Sequence, residues 1–258
     1  MSKTLFIVSD YGTGDPAFAE VILRLRNFLP KVFIYPVATP PFSTINTGFW
    51  IYQLALTPDI HNTFIFSNTA PRIENKDPQK ENGGEKLMYA KLANGFEIIA
   101  VNAGFVFSFI KPHIEEFAYV HTKTNGSQFR SRDYFPESVS KLLKRDYSFV
   151  GKAKNITTIP DYPTNKIASI DGYGNIKTTL RKSSISYPLS STVTITIGAI
   201  SQKAIVSDGI FNVLQDSLVF APGSAGHNDP FMEIVVRGGN ASYLFNHPHV
   251  EEAVSIKG

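Results

Sequence analysis

The feature that most constrains this chain is an apolar run, Leu5-Phe6-Ile7-Val8, that stops in Ser9-Asp10-Tyr11-Gly12-Thr13-Gly14-Asp15 and gives way to Pro16 and a helical apolar repeat. A short, continuous, β-branched and aromatic run suits a strand buried on both faces, as in a parallel sheet. Phe18, Val21, Ile22, Leu25 and Phe28 then recur at helical spacing up to Pro30. Asp15 is placed to cap that helix and Pro16 suits its first turn. Residues 32–35 read as a second strand, 49–56 as a helix and 63–66 as a third strand. Strand–helix–strand order predicts an α/β layer with a mainly parallel sheet.

Segment 72–86 is polar and rich in turn formers, so an exposed loop, and a lid over a site, is expected there. Residues 87–92 and 97–101 form a predicted hairpin around Ala93-Asn94-Gly95. A further helix is expected over 136–144. The pattern changes near residue 155. Ile156-Thr157-Thr158-Ile159-Pro160-Asp161-Tyr162-Pro163 cannot be helical and reads as a linker. Beyond it, strand candidates at 166–170, 193–197, 203–206, 217–220 and 231–236 are separated by turn signals, which suggests a small barrel or sandwich. The expected organisation is an N-terminal α/β domain at 1–158 and a smaller all-β domain at 165–258.

Composition narrows the chemistry. Hydrophobic residues make up 43% of the 258-residue chain and charged residues 18%, enough for a packed core. With 25 basic against 22 acidic residues and no long basic run, neither nucleic acid nor a membrane surface is the expected partner. The chain has no cysteine, which excludes disulfides, thiolate catalysis and zinc–thiolate sites. His61, His113, His121, His227, His247 and His249 form no ligand-spaced pair, so no metal is expected. The run at 5–8 is too short to span a membrane and meets no cleavage-site pattern, so the expected location is cytoplasmic.

Four constellations could carry chemistry. Asp10 stands at the carboxyl end of the first strand, the edge where open α/β sheets bind ligands. A carboxylate there is ill placed for phosphate and well placed for a ribose diol, which can donate two hydrogen bonds to it. A plain turn and helix cap is the alternative, and Asp15 already fills the cap. The glycines do not form a dinucleotide-binding fingerprint. Phe129-Arg130-Ser131-Arg132-Asp133 is either a site loop or a solvated helix entry. Asp171-Gly172-Tyr173-Gly174-Asn175 offers groups that bond or stack with a nucleoside or an amino acid, although a hairpin would look similar. Gly223-Ser224 and Gly238-Gly239-Asn240-Ala241 flank the strand at 231–236, either as turns or as backbone donors beside a planar ligand.

These pieces, with Pro40-Pro41-Phe42, occur together and in order. The combination resembles the S-adenosylmethionine hydrolase (adenosine-forming) and fluorinase–chlorinase family. The resemblance spans almost the whole chain. It implies an N-terminal α/β domain with a C-terminal β-barrel and a homotrimer with sites at subunit interfaces. It also implies a small adenosyl ligand, S-adenosyl-L-methionine as substrate rather than as a cofactor. Carried over, Asp10 would hold the ribose hydroxyls, Phe42 would wall the ribose, and Asp171 would meet the methionine ammonium. Ser224 would contact the carboxylate. Asn175 and the backbone near Ala241 would read the adenine, with Phe211 stacked on it, and Tyr173 and Asn240 complete the substrate-binding set. At the reaction centre Asn68 stands where the hydrolases have an Asp and Arg130 where they have a His. Arg72 and Lys76 are candidates for their Arg. Asn accepts no proton and Arg stays charged near neutral pH. Fluorinase-like members also lack the Asp and carry a Ser where this chain has Ser131. The family activity implied is cleavage at the 5′ carbon by water. The alternatives are a binding protein that has lost catalysis and a halide as nucleophile.

Overall fold

The computed structural model describes residues 3–71, 84–123 and 126–258. The chain divides into two compact units, Met1–Asp161 and Tyr162–Gly258. The expected strand–helix–strand opening is present: β1 (Thr4–Ser9), α1 (Pro16–Phe28), β2 (Phe33–Ala38), α2 (Thr44–Ala55) and β3 (Thr63–Asn68). Asp15 caps α1 by accepting from the Ala17 N–H at 2.7 Å, and Pro16 occupies the first turn, where a missing N–H costs nothing. The start of α2 lies five residues before the apolar pattern suggests, because the Ser43 side chain accepts from the Asn46 N–H at 3.2 Å and caps it.

The sheet is not mainly parallel. After the hairpin of β4 (Leu87–Leu92) and β5 (Glu97–Val101) come β6 (Ile114–Val120), the four-residue helix α3 (Arg130–Asp133), α4 (Phe135–Leu143) and β7 (Val150–Ala153). The strand order is β2-β1-β3-β5-β4-β6-β7. Pairing is parallel from β2 to β5 and antiparallel from β5 through β4 and β6 to β7, so the seven-stranded sheet is mixed. Strands β6 and β7 escaped the sequence reading. β6 exposes Glu115 and Glu116, which interrupts its apolar run, and β7 is only four residues long, with Gly151 and Lys152 at its centre. The core on the α1 and α4 side joins Leu5, Ile7, Phe64, Phe66 and Ile99 of the sheet to Val21, Leu25, Val139 and Leu142.

The second unit contains β8 (Ile167–Ile170), β9 (Ile176–Arg181), β10 (Thr192–Ile197), β11 (Ile200–Val206), β12 (Leu218–Pro222), β13 (Phe231–Val236), α5 (Ala241–Leu244) and β14 (Val254–Lys257). Its order is β14-β10-β11-β12-β13-β9-β8, with β11 and β12 parallel and the other neighbours antiparallel. The expected barrel is therefore corrected as well: this sheet curls into a half-barrel. Among the described residues, its edges meet at a bridge between Lys166 and Ala253, flanked by the Val254 N–H donating to the Asn165 carbonyl at 2.8 Å, the Ile167 N–H donating to the Glu252 carbonyl at 2.9 Å and the Glu251 N–H donating to the Ile167 carbonyl at 2.8 Å. The α/β-plus-barrel fold class gives way to two seven-stranded mixed sheets with 24% helix. The reason is local. Short hairpins such as β4–β5 reverse direction without a crossover helix, and antiparallel pairing follows. Among the described residues, no helix is long and apolar enough to cross a membrane.

Candidate functional site

In the first unit the residues converge at the carboxyl ends of β1 and β3. Asp10 follows β1 directly, and its Oδ2 accepts from the Phe42 N–H at 3.0 Å. That bond holds the turn that enters α2. Phe42 adopts φ of 63°, a left-handed conformation unusual for a bulky residue. Phe42 is 54% exposed.

Beneath lies a neutral hydroxyl cluster. Ser9 and Asn68 are paired across β1 and β3, and the buried Ser9 hydroxyl donates to the Asn68 carbonyl at 2.5 Å. Tyr11 donates to the buried Ser131 Oγ at 2.6 Å and packs edge-on against Phe18 and Phe129. Desolvation raises the Tyr11 phenol well above its ordinary value; hydrogen bonds with Ser131, Ser9 and Asn68 offset part of this and the Asp10 charge adds to it. Tyr11 is therefore a neutral donor across the whole physiological range. Thr39, Thr47 and Thr69 form a second buried chain, with Thr47 Oγ1 lying 3.2 Å from the Thr39 and 2.8 Å from the Thr69 hydroxyl. Thr47 spends its single proton on the Ser43 carbonyl at 2.8 Å, so the other two donate to it.

Arg130 opens α3 next to Ser131, with its guanidinium over the Phe135 ring at 5.6 Å and Nη1 donating to the Glu85 carbonyl at 3.3 Å. Gly84 permits this approach: a Cβ there would meet Arg130 Nη2 at 2.5 Å. Burial pulls the Arg130 guanidinium below its usual range, while Glu85 pushes the other way. Arg132 and Asp133 have a structural role. Arg132 grips Asp133 through Nε at 2.7 Å and Nη2 at 3.1 Å, and reaches Glu20 at 2.7 Å. The expected lid at 72–86 falls largely outside the described residues, as do Arg72 and Lys76.

In the second unit the β8–β9 loop folds on Asp171. Its Oδ1 accepts from the Tyr173 and Asn175 N–H groups at 3.0 and 3.1 Å, and its Oδ2 from Asn175 Nδ2 at 3.1 Å. Gly174, at φ of 80°, lies under Asn240, and a Cβ would sit 2.0 Å from Asn240 Oδ1. Asn240 caps α5 by accepting from the Tyr243 N–H at 3.1 Å, and the Ser242 N–H donates to the Gly174 carbonyl at 3.0 Å. The fold thus gathers Asp171, Tyr173, Asn175, Asn240 and buried Ala241, with the Tyr173 ring 79% exposed. Beside them, Lys177 Nζ lies 2.7 Å from Glu233 Oε1 and 3.7 Å from Asp171 Oδ2. Gly223 lets the Glu233 carboxylate pass: a Cβ would lie 1.9 Å from Glu233 Oε1. Exposed Ser224 follows it. Phe211 is 80% exposed and lies beside Arg237, 6.0 Å from the guanidinium.

Sequence reasoning missed Ser9, Tyr11, Lys177 and Glu233 as members of these clusters. Hydroxyls recurring just beyond strand ends were the available signal for the first two. Lys177 and Glu233 lie on neighbouring strands, and their pairing is visible only once β9 and β13 are in register. Among the described residues, no group of three or more His, Cys, Asp or Glu could hold a metal ion.

No protein-family model matches this chain, and no curated protein matches it. Among solved structures, an uncharacterized conserved protein from Thermotoga maritima is similar over 98% of this chain and 99% of its own, with a TM-score of 0.75 and 18% identity. A conserved hypothetical protein from Thermus thermophilus is similar over 98% and 99%, with a TM-score of 0.69 and 17% identity. At such identities the likeness establishes a shared fold alone.

Proposed function

We propose that the chain binds S-adenosyl-L-methionine and cleaves it at the 5′ carbon, with water giving adenosine and methionine. The observation that supports this reading best is the Asp10–Phe42 bond, a carboxylate at the mouth of β1 fastened to the backbone of a large exposed aromatic residue. A ribose diol offers two donors to such a carboxylate and an apolar face to such a ring. In the reaction the water oxygen bonds to C5′, the C5′–S bond breaks and methionine leaves as a neutral thioether. Asn68 and Arg130 accept no proton, so the water proton passes to solvent. Rate enhancement then comes from alignment and exclusion of bulk water rather than from a general base. The same proposal includes action in the cytoplasm and a homotrimer, which sedimentation would test.

The identity of those two residues favours a second reading, a protein that holds the nucleoside without turnover. A third, halide as nucleophile, draws on Ser131, whose oxygen accepts from Tyr11 and whose hydroxyl carries one proton to donate.

One assay separates the three. Purified protein is incubated with S-adenosylmethionine, with and without halide, and the products are separated by chromatography. Adenosine without halide supports hydrolysis, binding heat without product supports the second reading, and a 5′-halo nucleoside supports the third. Absence of binding to any adenosyl compound removes all three. Asp10→Ala is expected to abolish adenosine binding in calorimetry; unchanged affinity would show the ribose assignment to be wrong.

A further inference from the structure

Lys177 is a cation set among acids. Its side chain is only 15% exposed, that of Glu233 8% and that of Asp171 28%. Among the described residues, its ammonium makes one hydrogen bond, to Glu233 Oε1 at 2.7 Å, and lies 3.7 Å from Asp171 Oδ2. A lysine ammonium has three N–H donors. Glu233 therefore anchors Lys177 through one of these donors and leaves it capacity for a further acceptor.

The charges add a second point. Asp171 and Glu233 carry two negative charges and Lys177 one positive, so the trio is net −1 and presents a carboxylate and an ammonium side by side. That pattern is complementary to an α-amino-acid group, which carries an ammonium and a carboxylate on one carbon. It is a poorer match to a simple amine, which would leave the spare Lys177 donors unmatched.

We infer that Lys177, anchored by Glu233, takes the carboxylate of an α-amino-acid group whose ammonium meets Asp171, and so determines specificity for the intact amino-acid end of the ligand. This rests on the adenosyl-ligand reading above. Ser224, exposed beyond Gly223, is then an auxiliary contact at most.

The test compares S-adenosylmethionine, its decarboxylated analogue and adenosine by calorimetry. Removing Lys177 alone strands the Glu233 charge and can unfold the unit, so the variant is the double Lys177→Met, Glu233→Gln, which removes the pair together. Wild type is expected to favour S-adenosylmethionine over the decarboxylated analogue about tenfold or more, the effect of one charged hydrogen bond. The double variant should lose that preference and keep its affinity for adenosine. Lys177→Arg should keep the preference in part.

A double variant that retains the full preference, or that loses adenosine to the same degree, overturns the inference and leaves the adenosyl reading standing. Wild type that binds adenosine without distinguishing the two sulfonium compounds does the same. Wild type that binds none of the three removes the adenosyl reading and this inference with it. Should the double variant fail to fold, the preference in wild type and in Lys177→Arg still decides the matter: its absence in wild type overturns the inference.

Discussion

The two candidate clusters solve the problem of buried polarity in opposite ways. In the first unit, Ser9, Tyr11, Ser131 and the Asn68 carbonyl are neutral and pass hydrogen bonds along a chain. In the second, Asp171, Lys177 and Glu233 are charged and held by one another. A neutral chain loses little solvation on burial and contributes on the order of 1 kcal/mol per bond. An ionic trio gives up solvation worth several kcal/mol per ion and is tolerable only when complete. The difference teaches where the molecule is fragile: the neutral cluster should degrade gradually under mutation, while the ionic one should fail when a single member is lost.

The sharpest way to break this contrast is Lys177→Met. It leaves Glu233 buried without its cation, and a loss of about 3–5 kcal/mol in unfolding free energy is expected. Denaturant titration checks it, and a loss below about 1 kcal/mol would place the trio with ordinary surface pairs. Next comes Gly174→Ala. The new methyl would enter a left-handed position already occupied by the Asn240 side chain, at an expected cost of about 1–3 kcal/mol. The same variant should weaken adenosine binding, because it displaces both Asn175 and the α5 cap.

The smallest effect is expected from Tyr11→Phe, about 1 kcal/mol, since one neutral hydrogen bond to Ser131 is lost. This variant also carries a pH signature. Folding raises the Tyr11 phenol above its ordinary value near 10, so the unfolded chain releases that proton first. The stability from this group is fully present below pH 10 and is lost as pH rises beyond it. Wild type should therefore lose thermal stability between about pH 10 and 11 more steeply than Tyr11→Phe. Tyr89, also raised chiefly by desolvation, remains in both proteins and leaves a residual slope. Equal slopes would show that the Tyr11 hydroxyl is solvated.

Part of this arrangement was legible in the chain. The start of α1 follows from Asp15 and Pro16, because capping and a fixed φ are local properties. The β4–β5 hairpin follows from apolar runs on either side of Asn94-Gly95, whose turn uses Gly95 at φ of 80° and Asn94 accepting from Phe96. Asp10 at the end of β1 could be placed for the same reason. The expected barrel and mainly parallel sheet could not be secured in this way. A strand's partner, direction and closure depend on which distant segment buries its face, and β6, β7, β9 and β14 carried weak local patterns.

By itself, then, the sequence determined where α1 begins and which polar residues stand between β1 and α1, since these depend on torsions and neighbours a few residues away. Tertiary structure alone decided that two seven-stranded mixed sheets form, that Asp10 fastens Phe42 from 32 residues away, and that Lys177 meets Glu233 across 56. Those pairings join residues remote in sequence, and each depends on burial that only the assembled sheet supplies.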